Sequence, residues 1–198
     1  MIRRHDQLDP SRSLILLIDL QEKLLPLIRG HDRLVVVCRK LLQGGSLFDV
    51  PVMVTEQYRK GIGRTVAPLG DSLEQTRAAN LDKLAFSAWA EPTVRDAIVA
   101  ADRPQVILAG IETHVCVQQT ALDLSSRDYD VFVCADAVGS RGQLDHNVAL
   151  DRMRQNGVLV TTVESVLFEW CQRCDAERFK AMLEIVKAAP PANQDHPS

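Results

Sequence analysis

The chain has 198 residues, of which 46% are hydrophobic and 25% are charged, and its mean hydropathy is -0.06. These values exclude a disordered or collagen-like chain, and a chain of this length can bury roughly 70% of its unfolded surface in one core. The net charge of -3 and the aromatic content of 5% argue against nucleic-acid binding through a basic surface or a base-stacking platform. The longest apolar run near the start covers only residues 14–18, shorter than a membrane span or a secretory signal, so we expect a cytoplasmic protein without a membrane partner.

Apolar runs typical of buried strands alternate with segments of helical periodicity along the whole chain. Strands are predicted at residues 13–20, 50–55, 78–84, 105–110, 130–135 and 158–163. Helices are predicted at 31–48, 91–101, 115–126, 143–156 and 165–187, the last broken near 174–175, and residues 56–75 read as a loop with one short helix. This alternation predicts one three-layer α/β/α domain with a six-stranded, mainly parallel sheet over residues 1–189, followed by a flexible tail over 190–198.

Three polar residues lie at or just after the ends of predicted strands. Asp19 ends the first strand, Lys83 lies at the end of the third, and Cys116 lies in the turn after the 105–110 strand. Ligand sites of parallel sheets form beyond the carboxyl ends of the strands, so all three side chains can reach one edge of the sheet. Together they supply a base, a cation and a nucleophile.

The position of Cys116 near a helix start predicts an activated thiol. Free N–H groups and the positive end of the helix dipole favour a thiolate there, and the same N–H groups can hold an oxyanion. Taken singly, each residue also has a plainer interpretation. Cys116 fits a small packed hydrophobe, Asp19 fits a turn or a helix cap, and Lys83 fits a solvated side chain.

The residues around these three positions resemble a known family. Asp19 lies in Leu-Ile-Asp-Leu-Gln-Glu, Lys83 precedes an apolar-Phe-Ser stretch, and Cys116 lies in Gly-Ile-Glu-Thr-His-Val-Cys-Val-Gln-Gln-Thr. In these motifs and their order the chain resembles the isochorismatase-like cysteine hydrolases, from about residue 10 to residue 188. Val-Thr-Glu-Gln-Tyr at 54–58 and Thr-Val-Glu-Ser-Val-Leu-Phe at 162–168 are similar to the branch called isochorismatase domain-containing proteins.

The resemblance implies a Rossmann-like fold and a catalytic triad. Asp19 would be the general base, Cys116 the nucleophile, and Lys83 the cation that orients the pair and stabilises charge. A cis peptide at Ile111–Glu112 would direct the N–H of Glu112 to the same point as that of Cys116, giving a two-donor oxyanion hole. The implied reaction is cleavage of a small amide or related C–N bond through a thioester on Cys116.

The sequence departs from two other members of that family. True isochorismatases cleave a vinyl ether without a nucleophilic cysteine, so Cys116 argues against isochorismate as the substrate. Nicotinamidases of the family bind a metal through an Asp-x-His pair and a further histidine after the second strand, where this chain has Glu-Gln-Tyr-Arg-Lys at 56–60. We therefore expect neither a metal nor a cofactor, since His114 alone is a poor metal ligand.

Glu112 is the least expected residue near the predicted nucleophile. A carboxylate that pointed toward Cys116 would disfavour the thiolate, whereas one that pointed away could bind backbone donors or line the pocket. The sequence leaves this open. The candidates for the wall of a substrate pocket are Gln21, Tyr58, Phe86, Trp89 and His114.

The remaining cysteines are assigned simpler roles. Cys38 and Cys134 lie in apolar runs and are predicted to be in the core, and Cys171 and Cys174 are predicted to lie at i, i+3 on a helix, with a redox pair as the alternative. The apolar content of the C-terminal stretch exceeds one helix face and suggests a homo-oligomer. It comprises Leu167, Phe168, Trp170, Phe179, Met182, Leu183 and Val186. The alternative to a hydrolase of small molecules is a catalytically weak or inactive oligomeric interaction protein of the same fold.

Overall fold

The computed structural model describes residues 7–76 and 78–188. Its strands are β1 (Ser13–Ile18), β2 (Val52–Gln57), β3 (Ala79–Lys83), β4 (Gln105–Ile111), β5 (Asp130–Gly139) and β6 (Leu159–Thr161). Its helices are α1 (His31–Leu47), α2 (Arg59–Ile62), α3 (Gly70–Thr76), α4 (Pro92–Ala101), α5 (Gln118–Ser125), α6 (Gln143–Gln155), α7 (Val163–Cys171) and α8 (Phe179–Lys187). The predicted tail at 190–198 lies outside the described residues.

The six strands form one parallel sheet in the order β3-β2-β1-β4-β5-β6. The chain builds one half of the sheet outward from β1 and then crosses to the other side of β1 to begin β4. The carboxyl ends of β1 and β4 therefore flank the point where the strand order reverses, which is where sites form in open α/β sheets. This confirms the predicted Rossmann-like, three-layer fold.

Strand β1 is buried along its whole length because both faces of the sheet are covered. Ile15 and Leu17 pack into the apolar layer formed with α1, α7 and α8, whereas Leu14 and Leu16 pack into the layer formed with α4, α5 and α6. A near-continuous apolar run, rather than an alternating one, is what two covered faces require.

Gly110 lets β4 approach β1 closely beside the predicted site. Its φ is +116°, and a Cβ atom there would lie 2.0 Å from the carbonyl oxygen of Ile18, the residue paired with it in β1. Any side chain at this position would push the two strands apart. The residue directly after Ile18 is Asp19, so Gly110 sets the separation of the two strand ends that carry the site.

Three segments of the sheet and of the turn after β4 differ from the sequence-based prediction. Strand β2 continues to Gln57, and β5 continues to Gly139 through a shift in its register with β4 between Leu108 and Gly110. The predicted helix at 115–126 begins instead as a π-helical turn at Thr113–Val117. Apolar periodicity does not reveal such irregularities, because they depend on the partner strand and on the backbone hydrogen bonds of the turn.

The break predicted in the C-terminal helix is confirmed, but the predicted helical cysteine pair is wrong. Helix α7 ends at Cys171, where Gln172 takes a φ of +61°, and the exposed Cys174 lies in the connection to α8. Most of the apolar C-terminal side chains pack within this chain: Leu167, Trp170 and Met182 are buried, and Phe179, Leu183 and Val186 pack against the same core. Phe168 remains 42% exposed.

A search of the described residues for a helix of sufficient length and apolar character to span a bilayer finds none.

Candidate active site

The fold brings Asp19 and Lys83 into direct contact at the carboxyl edge of the sheet. Asp19 follows β1, and Lys83 is the last residue of β3, so the lysine side chain has to cross the end of β2 to reach it. The Nζ of Lys83 lies 2.8 Å from Oδ2 of Asp19, and both side chains are 0% exposed. Two full charges are buried only when they are paired, so each of these side chains requires the other.

The ammonium of Lys83 has three further acceptors around it. It donates to Oε1 of Gln57 at 2.6 Å and to the carbonyls of Ala85 and Phe86 at 3.1 Å each. An ammonium has three hydrogens, and these three acceptors account for them. Oδ2 of Asp19 is therefore close to a positive charge and yet has no hydrogen bond of good geometry within the described part of the chain.

The other oxygen of Asp19 is held from β2. Oδ1 accepts a hydrogen bond from the hydroxyl of Thr55 at 2.8 Å, and the N–H of Asp19 donates to the carbonyl of Thr55 at 3.1 Å. These bonds fix the plane of the carboxylate. The oxygen without a hydrogen bond, Oδ2, is the one that remains able to accept a proton.

Cys116 lies in the π-helical turn after β4 and is 6% exposed. Burial raises the pKa of its thiol to about 12, the negative charge of Asp19 raises it further, and the positive charge of Lys83 lowers it. The thiol is thus close enough to both charges to respond to each. Burial is the largest of these causes, so the resting thiol keeps its proton at neutral pH, whereas its position near a helix start by itself predicts a thiolate.

Glu112 points away from the thiol and pairs with the loop after β5. Its carboxylate accepts from the backbone N–H of Arg141 at 3.0 Å and from Nε of Arg141 at 3.1 and 3.2 Å. The peptide bond between Ile111 and Glu112 is cis. The question that the sequence leaves open about Glu112 is therefore answered: its charge is neutralised by an arginine.

A loop that follows β3 is fixed to the helix that follows Cys116. The hydroxyl of Thr120 donates to the carbonyl of Cys116 at 2.7 Å and accepts from the N–H of Ala88 at 2.9 Å. The hydroxyl of Ser87 donates to Asp123 at 2.6 Å. The carbonyls that bind Lys83 thus belong to a loop that is held in place by side chains of α5.

The five candidate pocket residues lie in four different environments. Tyr58 and Phe86 are exposed side chains next to Gln57 and in the Lys83 loop, and His114 bonds to the hydroxyl of Ser140 at 3.0 Å. Gln21 is fully buried and bonds to the backbone of residues 57 and 63, so its role is to join β2 to the following loop. Trp89 packs on Arg127 and Tyr129, toward the amino ends of β4 and β5, so it is not brought to the triad.

The segment where nicotinamidases carry metal ligands is filled by a salt bridge. Glu56 is buried, accepts from the backbone and hydroxyl of Thr65 at 2.7 and 2.9 Å, and lies 3.1 Å from Nε of Arg59. Among the described residues no cluster of three or more histidine, cysteine, aspartate or glutamate side chains is arranged to hold a metal ion.

Sequence reasoning missed Thr55 and Gln57. Both lie on β2, the strand between β1 and β3, and both contact the Asp19–Lys83 pair. Their position could have identified them. They are polar residues at the end of β2, which lies between the two strands that carry Asp19 and Lys83, so they lie beside that pair. The prediction that β2 ended at residue 55 hid Gln57.

Comparison with known proteins identifies the class. A sequence model of the isochorismatase domain matches residues 13–165, so the chain belongs to the isochorismatase family, whose fold is that of a hydrolase. Within it, the chain resembles the branch of isochorismatase domain-containing proteins. It is 38% identical to protein 1 of that name from Salmo salar, over 92% of this chain and 63% of the relative. It is 37% identical to protein 2 from Xenopus laevis, over 96% of this chain and 91% of the relative. The chain thus spans less than two thirds of the length of the first of these relatives.

Three solved structures have the same fold. The MAR1 ribonuclease of Caenorhabditis elegans has a TM-score of 0.87 and 33% identity, covering 98% of both chains. YcaC from Pseudomonas aeruginosa, solved with covalent acrylamide, has a TM-score of 0.85 and 28% identity, covering 92% of this chain and 93% of that one. The YcaC protein of Escherichia coli, an octameric hydrolase of unknown specificity, has a TM-score of 0.84 and 28% identity, covering 91% and 89%.

Proposed function

We propose that this chain is a metal-free cysteine hydrolase that cleaves a small carboxamide or related C–N bond through a thioester on Cys116. The observation that carries the proposal is the buried Asp19–Lys83 ion pair, with contact distance 2.8 Å, whose two charges both act on the thiol of Cys116. An ion pair buried at a sheet edge contributes little net stability. Its presence beside a thiol is better explained by proton transfer.

In the first half of the reaction the thiol loses its proton as it attacks. A pKa of about 12 leaves the thiol protonated at neutral pH, so the proton has to pass to Oδ2 of Asp19 while Sγ bonds to the carbonyl carbon. The carbonyl oxygen takes the electron pair, and the N–H groups of Glu112 and Cys116 stabilise it. The C–N bond then breaks, Asp19 returns the proton to the leaving nitrogen, and a thioester remains.

In the second half a water molecule releases the acid. Asp19 takes a proton from the water as it attacks the thioester, and the C–S bond breaks. The sulfur recovers the proton from Asp19, and the carboxylic acid leaves. Lys83 stays charged throughout, and its three other acceptors hold it in place while the charge of Asp19 changes.

A screen of small carboxamides, ureas and carbamoyl compounds tests this function. The wild-type chain should release ammonia or an amine, and an acid quench during turnover should trap an acyl adduct that mass spectrometry assigns to the peptide containing Cys116. Cys116→Ala should abolish both signals, whereas Cys174→Ser, which changes an exposed thiol outside the site, should retain both. Turnover without an adduct on Cys116 would refute the covalent mechanism.

The same screen separates two rival functions. RNA belongs in it because the C. elegans neighbour is called a ribonuclease, and RNA cleavage that survives in Cys116→Ala would favour that activity. The second rival function is a catalytically inactive interaction protein. The raised pKa of Cys116 favours it, because a protonated thiol is a weak nucleophile. That alternative would gain support if no compound were turned over and Cys116 were alkylated as slowly as the buried Cys38 and Cys134.

We also propose that the chain forms a homo-oligomer. The E. coli neighbour is octameric, and several large apolar side chains of this chain are exposed, among them Leu84 and Phe86 in the loop that binds Lys83. Sedimentation of the purified chain should give a mass that is a multiple of 22.0 kDa. A single species at the monomer mass at micromolar concentration would contradict the proposal.

A further inference from the structure

Residues 112–114, at the start of the turn that carries Cys116, each form a hydrogen bond to one neighbouring segment. This segment, residues 140–146, comprises the connection from β5 to α6 and the first turn of α6, and is called the clamp below. Glu112 pairs with Arg141 at 3.0 to 3.2 Å. The hydroxyl of Thr113 bonds to Nδ1 of His146 at 2.9 Å. Nδ1 of His114 bonds to the hydroxyl of Ser140 at 3.0 Å.

We propose that the clamp positions the backbone from Glu112 to Cys116, so that Ser140, Arg141 and His146 are positioning residues for the reaction. The inference rests on the proposed function in treating Cys116 as the nucleophile. It concerns residues whose hydrogen bonds are to Glu112, Thr113 and His114 and which act through the backbone that carries Cys116.

The turn needs such support because its own hydrogen bonds are irregular. A π-helical turn replaces the first turn of an α-helix, and the carbonyl of Glu112 accepts from the N–H groups of both Val115 and Val117, at 3.1 and 3.2 Å. Thr120 holds the carbonyl of Cys116 from the opposite side at 2.7 Å. The clamp supplies the restraint at the start of the turn, which Thr120 does not reach.

Burial makes the central bond of the clamp the most demanding one. Thr113 is fully buried, and a buried hydroxyl has to be hydrogen-bonded. Burial also lowers the pKa of His146, so its imidazole is neutral near pH 7 and can pair with a hydroxyl through either tautomer. Arg141 contributes at the surface, with its side chain 62% exposed against 12% for Glu112.

Displacement of this turn should have opposite effects on the thiol's reactivity and on turnover. If the start of the turn is released, Sγ gains water and moves away from Asp19, so that burial, the largest cause of the raised pKa of Cys116, and the influence of Asp19 both weaken. The thiol becomes easier to alkylate. Turnover falls, because a displacement of about 1 Å can cost roughly 100-fold in rate.

The test measures alkylation of Cys116 by iodoacetamide between pH 7 and pH 10.5, with peptide mass spectrometry to separate it from Cys174. Arg141→Ala and Thr113→Val, the latter nearly isosteric, should each accelerate alkylation at pH 8 at least about threefold and shift the pH profile downward. Thr113→Ser, which keeps the hydroxyl, should remain close to the wild-type profile. The matched control is Arg154→Ala. Arg154 pairs with Asp151 at 2.8 Å on the exposed face of α6, the helix whose first turn contains His146.

The outcomes distinguish the clamp from the function on which it rests. Wild-type alkylation profiles in both Arg141→Ala and Thr113→Val would overturn the clamp even if Cys116 formed a thioester with an amide. Shifted profiles with no thioester would support the clamp and refute the proposed function. Arg141 is mostly exposed, so its variant keeps the test decisive if Thr113→Val fails to fold. The readout is taken well below the melting temperature, where a merely stabilising pair would not move the pH profile.

Discussion

Two regions of the molecule place an aspartate beside buried thiols, and only one of them has the composition of an active site. At the ends of β1 and β4, Asp19 lies beside Cys116 and 2.8 Å from the buried ammonium of Lys83. On β5, Asp136 acts on the fully buried Cys38 and Cys134. Burial raises the pKa of the thiol in every case.

The difference lies in what balances each carboxylate. Burial raises the pKa of Asp136. A hydrogen bond from the N–H of Val163 at 3.0 Å lowers this pKa, and the exposed side chain of Arg33 lowers it more weakly. Asp19 has a cation of its own inside the protein. A thiol beside a carboxylate is therefore not a site by itself, and in the proposed mechanism the buried lysine is what permits Asp19 to exchange a proton with sulfur.

The largest expected contrast concerns turnover. Cys116→Ala should lower the turnover of a substrate found by the screen on the order of 10⁴-fold or more, because the nucleophile is lost. Cys134→Ala deletes one buried atom at the other region and should change kcat less than about threefold, while lowering stability by about 1 kcal/mol. Steady-state kinetics of both variants checks this. Equal losses of kcat would mean that Cys116 acts through the fold alone.

The second contrast concerns stability. Lys83→Met should lower the free energy of unfolding by about 3–5 kcal/mol, since it leaves the charge of Asp19 buried without a partner. Arg33→Met removes the exposed cation at the other region and should cost less than about 1 kcal/mol. Urea denaturation of the two variants measures the difference. Similar midpoints would show that Asp19 does not depend on Lys83 for its burial.

The third contrast concerns the reactivity of Cys116. Asp19→Asn removes a negative charge that raises the pKa of this thiol, so alkylation at pH 8 should accelerate, by about tenfold for each pKa unit, while turnover is lost with the base. Asp136→Asn should leave the alkylation of Cys116 unchanged. A slower reaction in Asp19→Asn would mean that Asp19 supports the thiolate rather than opposing it.

The smallest expected contrast is between two chains in how fast stability declines in alkaline solution. The folded chain holds the thiol protons of Cys38, Cys116 and Cys134 above the ordinary pKa of about 8.5, so the stabilisation is complete below that pH and declines as pH rises toward the folded pKa values. The limiting slope is about 1.4 kcal/mol per pH unit for each thiol. Denaturation at pH 8 and pH 9.5 should show a smaller decline in Cys134→Ala than in the wild-type chain, and equal declines would contradict the assignment.

The sequence predicted much of this molecule because several of its patterns are local. Apolar runs located the six strands, and the rule that sites form at the carboxyl ends of parallel strands predicted that Asp19, Lys83 and Cys116 lie at one edge of the sheet. The helical pairing of Cys171 and Cys174 failed because the left-handed residue Gln172 ends α7 between them. The placement of Trp89 at the site failed because its partners belong to the opposite edge of the sheet.

By itself the sequence determined the fold class and the three residues that could meet, since both follow from periodicity and chain order. Only the tertiary structure decided which atoms meet. Strand order placed Gln57 between Asp19 and Lys83, and the loop after β5 turned Glu112 away from the thiol. The tertiary structure also decided that Cys116 is a protonated thiol at rest. Its pKa is raised by burial, and burial depends on all the elements packed around a side chain and not on its neighbours in the chain.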